Sequence, residues 1–311
     1  MPALPENEPV LPTEPLRQAR WHVLGVSVRG SSHERSGLPN QDAINWWPAE
    51  PSAGCFVLAV ADGHGSAKSF RSDAGARLAV ETAQSAFREL LSSPGDVDPR
   101  TVKRALDERL PMEIERRWKT AVQEHLATHP LFLHEVAKLD AQQGEGARKA
   151  VEEKPVLAYG TTLLAVAVHE TFIACLQLRD GDILIVADDG TVNRPIAEDS
   201  RLFANETTSL SGDQSWRDFR WSFQSLAGRP PVLVMAATDG YSNSFRSAED
   251  FETVDPDFLA LLKSEGMAAV RDKLPNWLTE ASQKGSGDDV TVGILHLACP
   301  QEHLPPSLQR R

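Results

Sequence analysis

Eight strand-like runs recur along the chain, rich in apolar residues and too short to cross a membrane. They are Trp21–Val28, Cys55–Ala61, Thr161–Val168, Phe172–Leu178, Ile183–Ala187, Phe219–Gln224, Val232–Ala237 and Val290–Leu297. Several are apolar on both alternating faces, which predicts strands covered on both sides by another sheet or by helices. Other stretches follow the helical period. In Ser69–Leu91, the residues Ala76, Val80, Ala83, Phe87 and Leu90 step by four and three along one face. A second helical region runs from Thr101 to about Leu139, with Ile114, Trp118 and Val122 in register. Pro111 divides it, since proline is tolerated at a helix start and not inside. Gln142–Glu153 is polar and contains glycine, and reads as a mobile loop. Pro256–Ser282 reads as two short helices broken near Gly266.

Strands, long helices, a block of strands, short helices and a last strand make an α+β order, not an alternating βαβ order. Residues 1–18 carry five prolines and several acids without periodicity, and are expected to form a flexible arm; residues 300–311 read as a similar tail. No Gly/Ser linker or internal repeat divides residues 19–299, so a single domain is expected there.

Charge and cysteine content narrow the partners. The formal net charge is −12 and no Lys/Arg stripe occurs, which argues against nucleic acid or an anionic membrane as partner. Cys55, Cys175 and Cys299 are an odd number without a spacing pattern and lie in or beside apolar runs. They are read as core packing in a reducing compartment, and the N-terminus lacks a basic-then-apolar signal, so a cytoplasmic protein is expected. None of the three heads a Cys-x5-Arg phosphate loop: the sixth positions on are Ala61, Gly181 and Pro305.

Candidate chemistry lies in acids placed where apolar runs meet tight turns: Asp62 in AVADGHG, Asp180 in QLRDGDI, Asp239 in MAATDGYSNS and Asp288 in GSGDDVTVGIL, with Asp42 in PNQDAINW. Any one Asp-Gly pair is more simply a turn. As a set, several at the mouth of a core would repel one another and lose solvation, and bound cations are the usual remedy. All are oxygen donors, which suit Mg²⁺ and Mn²⁺ better than Zn²⁺. Gly63, lacking a side chain, leaves its carbonyl open to close approach.

The series NQDA, ADGHGS, GTTLLAV, RDGDILIV, TDGYSNS and GSGDDVTV, from about Val23 to Leu297, resembles the motifs of the metal-dependent protein phosphatases, the protein phosphatase 2C family, in its bacterial form. The resemblance implies a sandwich of two antiparallel β-sheets flanked by helices on both sides. It also implies hydrolysis of phosphoserine and phosphothreonine in proteins with two Mg²⁺ or Mn²⁺ ions. By motif, Asp62 would bridge both metals, Gly63 would offer its backbone carbonyl to one, and Asp239 and Asp288 would hold the other. Asp42 would act through metal-bound water, and Asp180 matches an aspartate of a third, weaker metal site. A metal-bridging hydroxide would attack phosphorus directly, and His64 would protonate the leaving alkoxide. A partner Ser/Thr kinase or its targets are the expected substrates.

The chain also departs from that pattern. The arginine often found five residues before Asp42 is Gly37 here, with Arg35, Arg29 or His33 as substitutes for gripping phosphate, Arg35 first among them. The usual Gly-Asp-Ser-Arg reads Arg179-Asp180-Gly181-Asp182, and the Asn after the last aspartate is Asp289. The alternatives are therefore a weak or inactive phosphoprotein-binding relative and a small-molecule phosphoesterase. Trp46 and Trp47 are read as edge or core packing before a substrate groove.

Overall fold

The computed structural model describes residues 20–50, 54–92, 97–197, 208–226 and 230–298; the arm, the tail and Cys299 lie outside the described residues. Two five-stranded antiparallel sheets form the centre. One has the order β1 (Arg20–Val28), β10 (Val290–Ala298), β9 (Leu233–Ala237), β6 (Asp182–Val186), β7 (Val192–Asn193). The other has the order β2 (Ala43–Trp47), β3 (Cys55–Ala61), β4 (Leu163–His169), β5 (Phe172–Leu178), β8 (Arg220–Ser225).

The apolar-throughout strands are explained by the layering. Along β3, Phe56, Leu58 and Val60 enter the core between the sheets, where they meet Val166, Ile183, Val234 and Leu295. Val57, Ala59 and Ala61 face the other way, into a second core under helices α2 (Ser72–Leu91) and α4 (Leu110–Thr128), with Ala76, Phe87, Ile114 and Trp118. Likewise Leu184, Met235, Val292 and Ile294 leave the outer sheet face to pack on Phe258, Leu262, Leu274 and Leu278 of α9 (Val254–Lys284). Each side chain is thus buried in one of three apolar layers, contributing about 1.5–3 kcal/mol when fully withdrawn from water.

Helices α1 (Ser31–Ser36), α3 (Pro99–Glu108), α5 (Leu133–Gln143), α6 (Glu145–Glu153), α7 (Asp239–Ser242) and α8 (Ala248–Glu252) complete the described α-helices. The second helical region is three helices, with Pro111 in the first turn of α4. The predicted break in the last region is real: Gly266 has φ 82° and ψ 165° inside α9.

One expectation is corrected. Gln142–Glu153 is not a loop: α5 runs to Gln143, Gly144 turns the chain at φ 82°, and α6 follows at once. Pairs at helical spacing support α6, with Lys149 Nζ 2.8 Å from Glu145 and Arg148 2.9 Å from Glu152, while Val151 is fully buried. Polarity here marks a solvated helix face. The short strand β2 and helix α1 were not foreseen. Trp46 and Trp47 are half-buried on β2 and pack against the two cores that β3 separates.

Candidate active site

Strand register brings the acids to one end of the sandwich. Ala43 pairs with Ala61, so Asp42 and Asp62 sit on adjoining strand tips. Ala237 pairs with both Asp182 and Val292, which sets Asp239 between the turn carrying Asp180 and the turn carrying Asp288. A cavity of about 740 Å³ opens there, and Asp62, Gly63, His64, Asp180, Asp239 and Asp288 all line it. Asp42 lies behind this lining, and its Oδ2 accepts from the hydroxyls of Thr238 (2.7 Å) and Thr291 (2.8 Å). Arg35 is exposed, with Nη1 3.3 Å from Ser31 Oγ, and takes no part in the lining.

The backbone around Asp62 is clamped from β4. Its carbonyl accepts from Thr162 N and Thr161 Oγ1, both at 2.8 Å, and its N–H donates to Thr162 Oγ1 at 3.0 Å. His64 N–H donates to Gly160 O at 3.0 Å. A Cβ on Gly63 would meet Gln41 O at 2.6 Å and Ser72 O at 2.7 Å, so the glycine is required by close backbone packing. These threonines are the partners that motif reading left without a role; their signal was only their place in the strand motif Gly160-Thr161-Thr162.

Asp289 is a second such residue. Its side chain is 2% exposed. Oδ1 accepts from Gly30 N at 2.6 Å, while Oδ2 accepts from Gln41 N at 2.6 Å and lies 2.8 Å from His33 Nδ1. An asparagine would present a donor to one of these donors, which accounts for the carboxylate here. His33 lines the cavity, with Nε2 3.8 Å from Asp288 Oδ1; Asp288 itself is 54% exposed.

Electrostatics set the acids apart from ordinary surface carboxyls. Burial pushes the Asp42 carboxyl up to about 8, aided by Asp289 and Asp288 and opposed by the two threonine hydroxyls. Burial and the charges of Asp42, Asp239 and Asp288 hold Asp62 well above the carboxylate range. Burial, with Asp180 and Asp288, raises Asp239 as well. His64 goes the other way, lowered to about 4 by burial and by the Arg179 charge, with Asp180 opposing.

The residues fit divalent cations. The donors are hard carboxyl oxygens whose mutual repulsion cations would relieve. Three polar atoms of lining residues, Gln41 Oε1, His64 Nε2 and Arg179 Nη1, are buried without a hydrogen-bond partner, and the first two could accept from a metal-bound water. Neither described cysteine offers competing chemistry: Cys175 is buried and pushed up to about 12, and burial also raises Cys55.

Comparison with known proteins identifies the family and the fold. The family model described as protein phosphatase 2C matches residues 29–279. Among solved structures, the Stp1 serine/threonine phosphatase of Staphylococcus aureus superposes with a TM-score of 0.54 at 12% identity, covering 89% of this chain and 95% of that one. The S. agalactiae serine/threonine phosphatase gives 0.51 at 18% identity, covering 89% and 100%. The catalytic domain of PstP, solved in complex with two manganese ions, gives 0.51 at 17% identity, covering 90% and 99%. At these identities the structures attest the fold. A search of curated proteins gave no match.

Proposed function

The chain belongs to the protein phosphatase 2C family, and on that premise we propose that it hydrolyses phosphoserine and phosphothreonine in proteins with two Mg²⁺ or Mn²⁺ ions. The observation that carries this reading is the convergence of Asp62, Asp239 and Asp288 on one cavity, with Asp42 directly behind. Asp62 would hold both ions, assisted by the Gly63 carbonyl. Asp239 and Asp288 would hold one of them, Asp42 would act from behind, and Asp180 would serve a third, weaker ion. When bound, such ions activate water near neutral pH and offset phosphoryl charge.

The chain's own residues supply orientation and a proton. Thr161 and Thr162 fix the Asp62 backbone, and Thr238 and Thr291 fix Asp42. His64, held neutral in the ion-free chain, would take up a proton from solvent water as a phosphoryl dianion enters beside it. That charge opposes Arg179 and favours the imidazolium, which then protonates the leaving serine or threonine oxygen.

The substrate class is phosphoprotein, a Ser/Thr kinase or that kinase's targets. Cys55 and Cys175 are free thiols, and among the described residues no helix is long and apolar enough to cross a membrane, which supports a reducing, cytoplasmic setting. We assign residues 19–299 to the catalytic domain.

The deciding assay compares a phosphothreonine peptide with nucleotides and sugar phosphates, with Mn²⁺ and with EDTA. Mn²⁺-dependent turnover of the peptide, abolished by EDTA, is the expected result. Turnover of the small molecules alone would replace the protein substrate, and peptide binding without turnover would make the chain a phosphoprotein reader.

A further inference from the structure

Gly37 faces open space with no atom within 4 Å of a Cβ placed there, and it supplies no charge to the cavity. The cavity still needs a cation for its substrate, because its acids repel a phosphoryl dianion until ions are bound. Of the side chains lining it, Lys68 and Arg179 carry fixed positive charge.

Arg179 is built differently from a solvated arginine. It sits in the turn between β5 and β6 at φ 74°, a left-handed conformation unfavourable for a residue with a Cβ. The turn is nonetheless held: the Arg179 carbonyl accepts from Gln177 Nε2 at 2.9 Å and from Arg220 Nη2 at 3.2 Å. This conformation directs a side chain that is only 26% exposed toward the acids. Nε donates to Asp180 Oδ2 at 3.1 Å, while Nη1 is buried with no partner. Its charge is felt at His64 and at Asp239, on two sides of the cavity. A buried guanidinium donor without an acceptor is costly, and a guanidinium fork matches the oxygens of a phosphoryl group.

We propose that Arg179 grips the substrate phosphoryl group, Nη1 donating to a phosphoryl oxygen while Nε stays on Asp180. The turn Arg179-Asp180-Gly181-Asp182 then supplies from β5–β6 the cation that Gly37 lacks. This inference rests on the cavity being the phosphatase site proposed above.

The test is calorimetric binding of inorganic phosphate to the Mn²⁺-loaded protein, alongside KM and kcat for a phosphothreonine peptide. Arg179→Ala should weaken phosphate binding and raise KM roughly 10- to 100-fold, the worth of one charge-assisted hydrogen bond. Melting temperature and Mn²⁺ affinity should stay at wild-type values, and Arg179→Lys should recover part of the loss. Unchanged phosphate affinity in the folded variant overturns the proposal. So does an equal loss of Mn²⁺ affinity, which would make Arg179 a support for Asp180. Phosphate binding is read without turnover, so an inactive wild-type chain would refute the phosphatase reading and leave the Arg179 test standing.

Discussion

Asp62, at the end of β3 in one sheet, and Asp239, just beyond β9 in the other, line the same cavity. Burial and the neighbouring carboxylate charges raise both groups, so the ion-free site disfavours full ionisation of its acids. Asp62→Asn removes a charge and keeps a polar side chain. Without divalent ions the variant should melt higher than wild type at neutral pH, because repulsion with Asp42, Asp239 and Asp288 is relieved. Its phosphatase activity should fall on the order of 100-fold or more. Thermal melts in EDTA and peptide turnover in Mn²⁺ check the two halves. A variant that is active, or that melts lower in EDTA, removes Asp62 from the centre of the site.

The same repulsion gives a pH dependence. Asp42 is raised from 3.8 to about 8, and Asp62 and Asp239 are raised too. In that window the folded chain holds protons that the unfolded chain has released, so the stability of the EDTA-treated protein falls as pH rises from about 4 to about 8. Saturating Mn²⁺ binds the ionised carboxyls of the folded state only. It should stabilise most at the alkaline end and flatten the slope. Melting curves across pH with and without Mn²⁺ read this directly; parallel slopes would count against ion binding by these acids.

His64 separates substrates by leaving group. Serine and threonine alkoxides need a proton and p-nitrophenolate does not. His64→Ala should cost on the order of 10²–10⁴-fold on a phosphothreonine peptide and far less on p-nitrophenyl phosphate. Gly160→Ala offers an independent check, since its Cβ would meet His64 Cδ2 at 2.8 Å and Ser69 Oγ at 2.7 Å. It should shift the ring and reproduce the substrate split in milder form. Equal losses on both substrates would exclude the acid role.

The sequence showed the strands because burial on both faces leaves no polar position, as along β3, and it showed Asp62, Asp180, Asp239 and Asp288 because each stands where an apolar run meets a tight turn. It hid α6, whose solvated residues pair with one another and which buries only Val151. It also hid the hydroxyls of Thr161, Thr162, Thr238 and Thr291. A threonine in a strand is ordinary, and its role depends on which carboxyl or backbone group the register sets opposite. Arg179 was visible only as a departure from the family pattern; its backbone angle and unpartnered Nη1 exist only in three dimensions.

Asp289 tests how far one buried carboxylate organises the site. It ties Gly30, Gln41 and His33 together, and Gln41 O in turn accepts from Gly63 N at 3.1 Å. In Asp289→Asn the amide nitrogen must face either Gly30 N–H or the Gln41 N–H and His33. One buried donor loses its acceptor, at a cost of about 1–3 kcal/mol. The urea midpoint should fall by that amount divided by the m-value, which stays unchanged because the fold and its buried area persist. Catalysis should fall as well, since the Gln41 segment that positions Asp42 and Gly63 loosens, while Mn²⁺ still binds. If the midpoint does not move, relief of carboxylate desolvation offsets the lost bonds, and Asp289 acts on His33 alone.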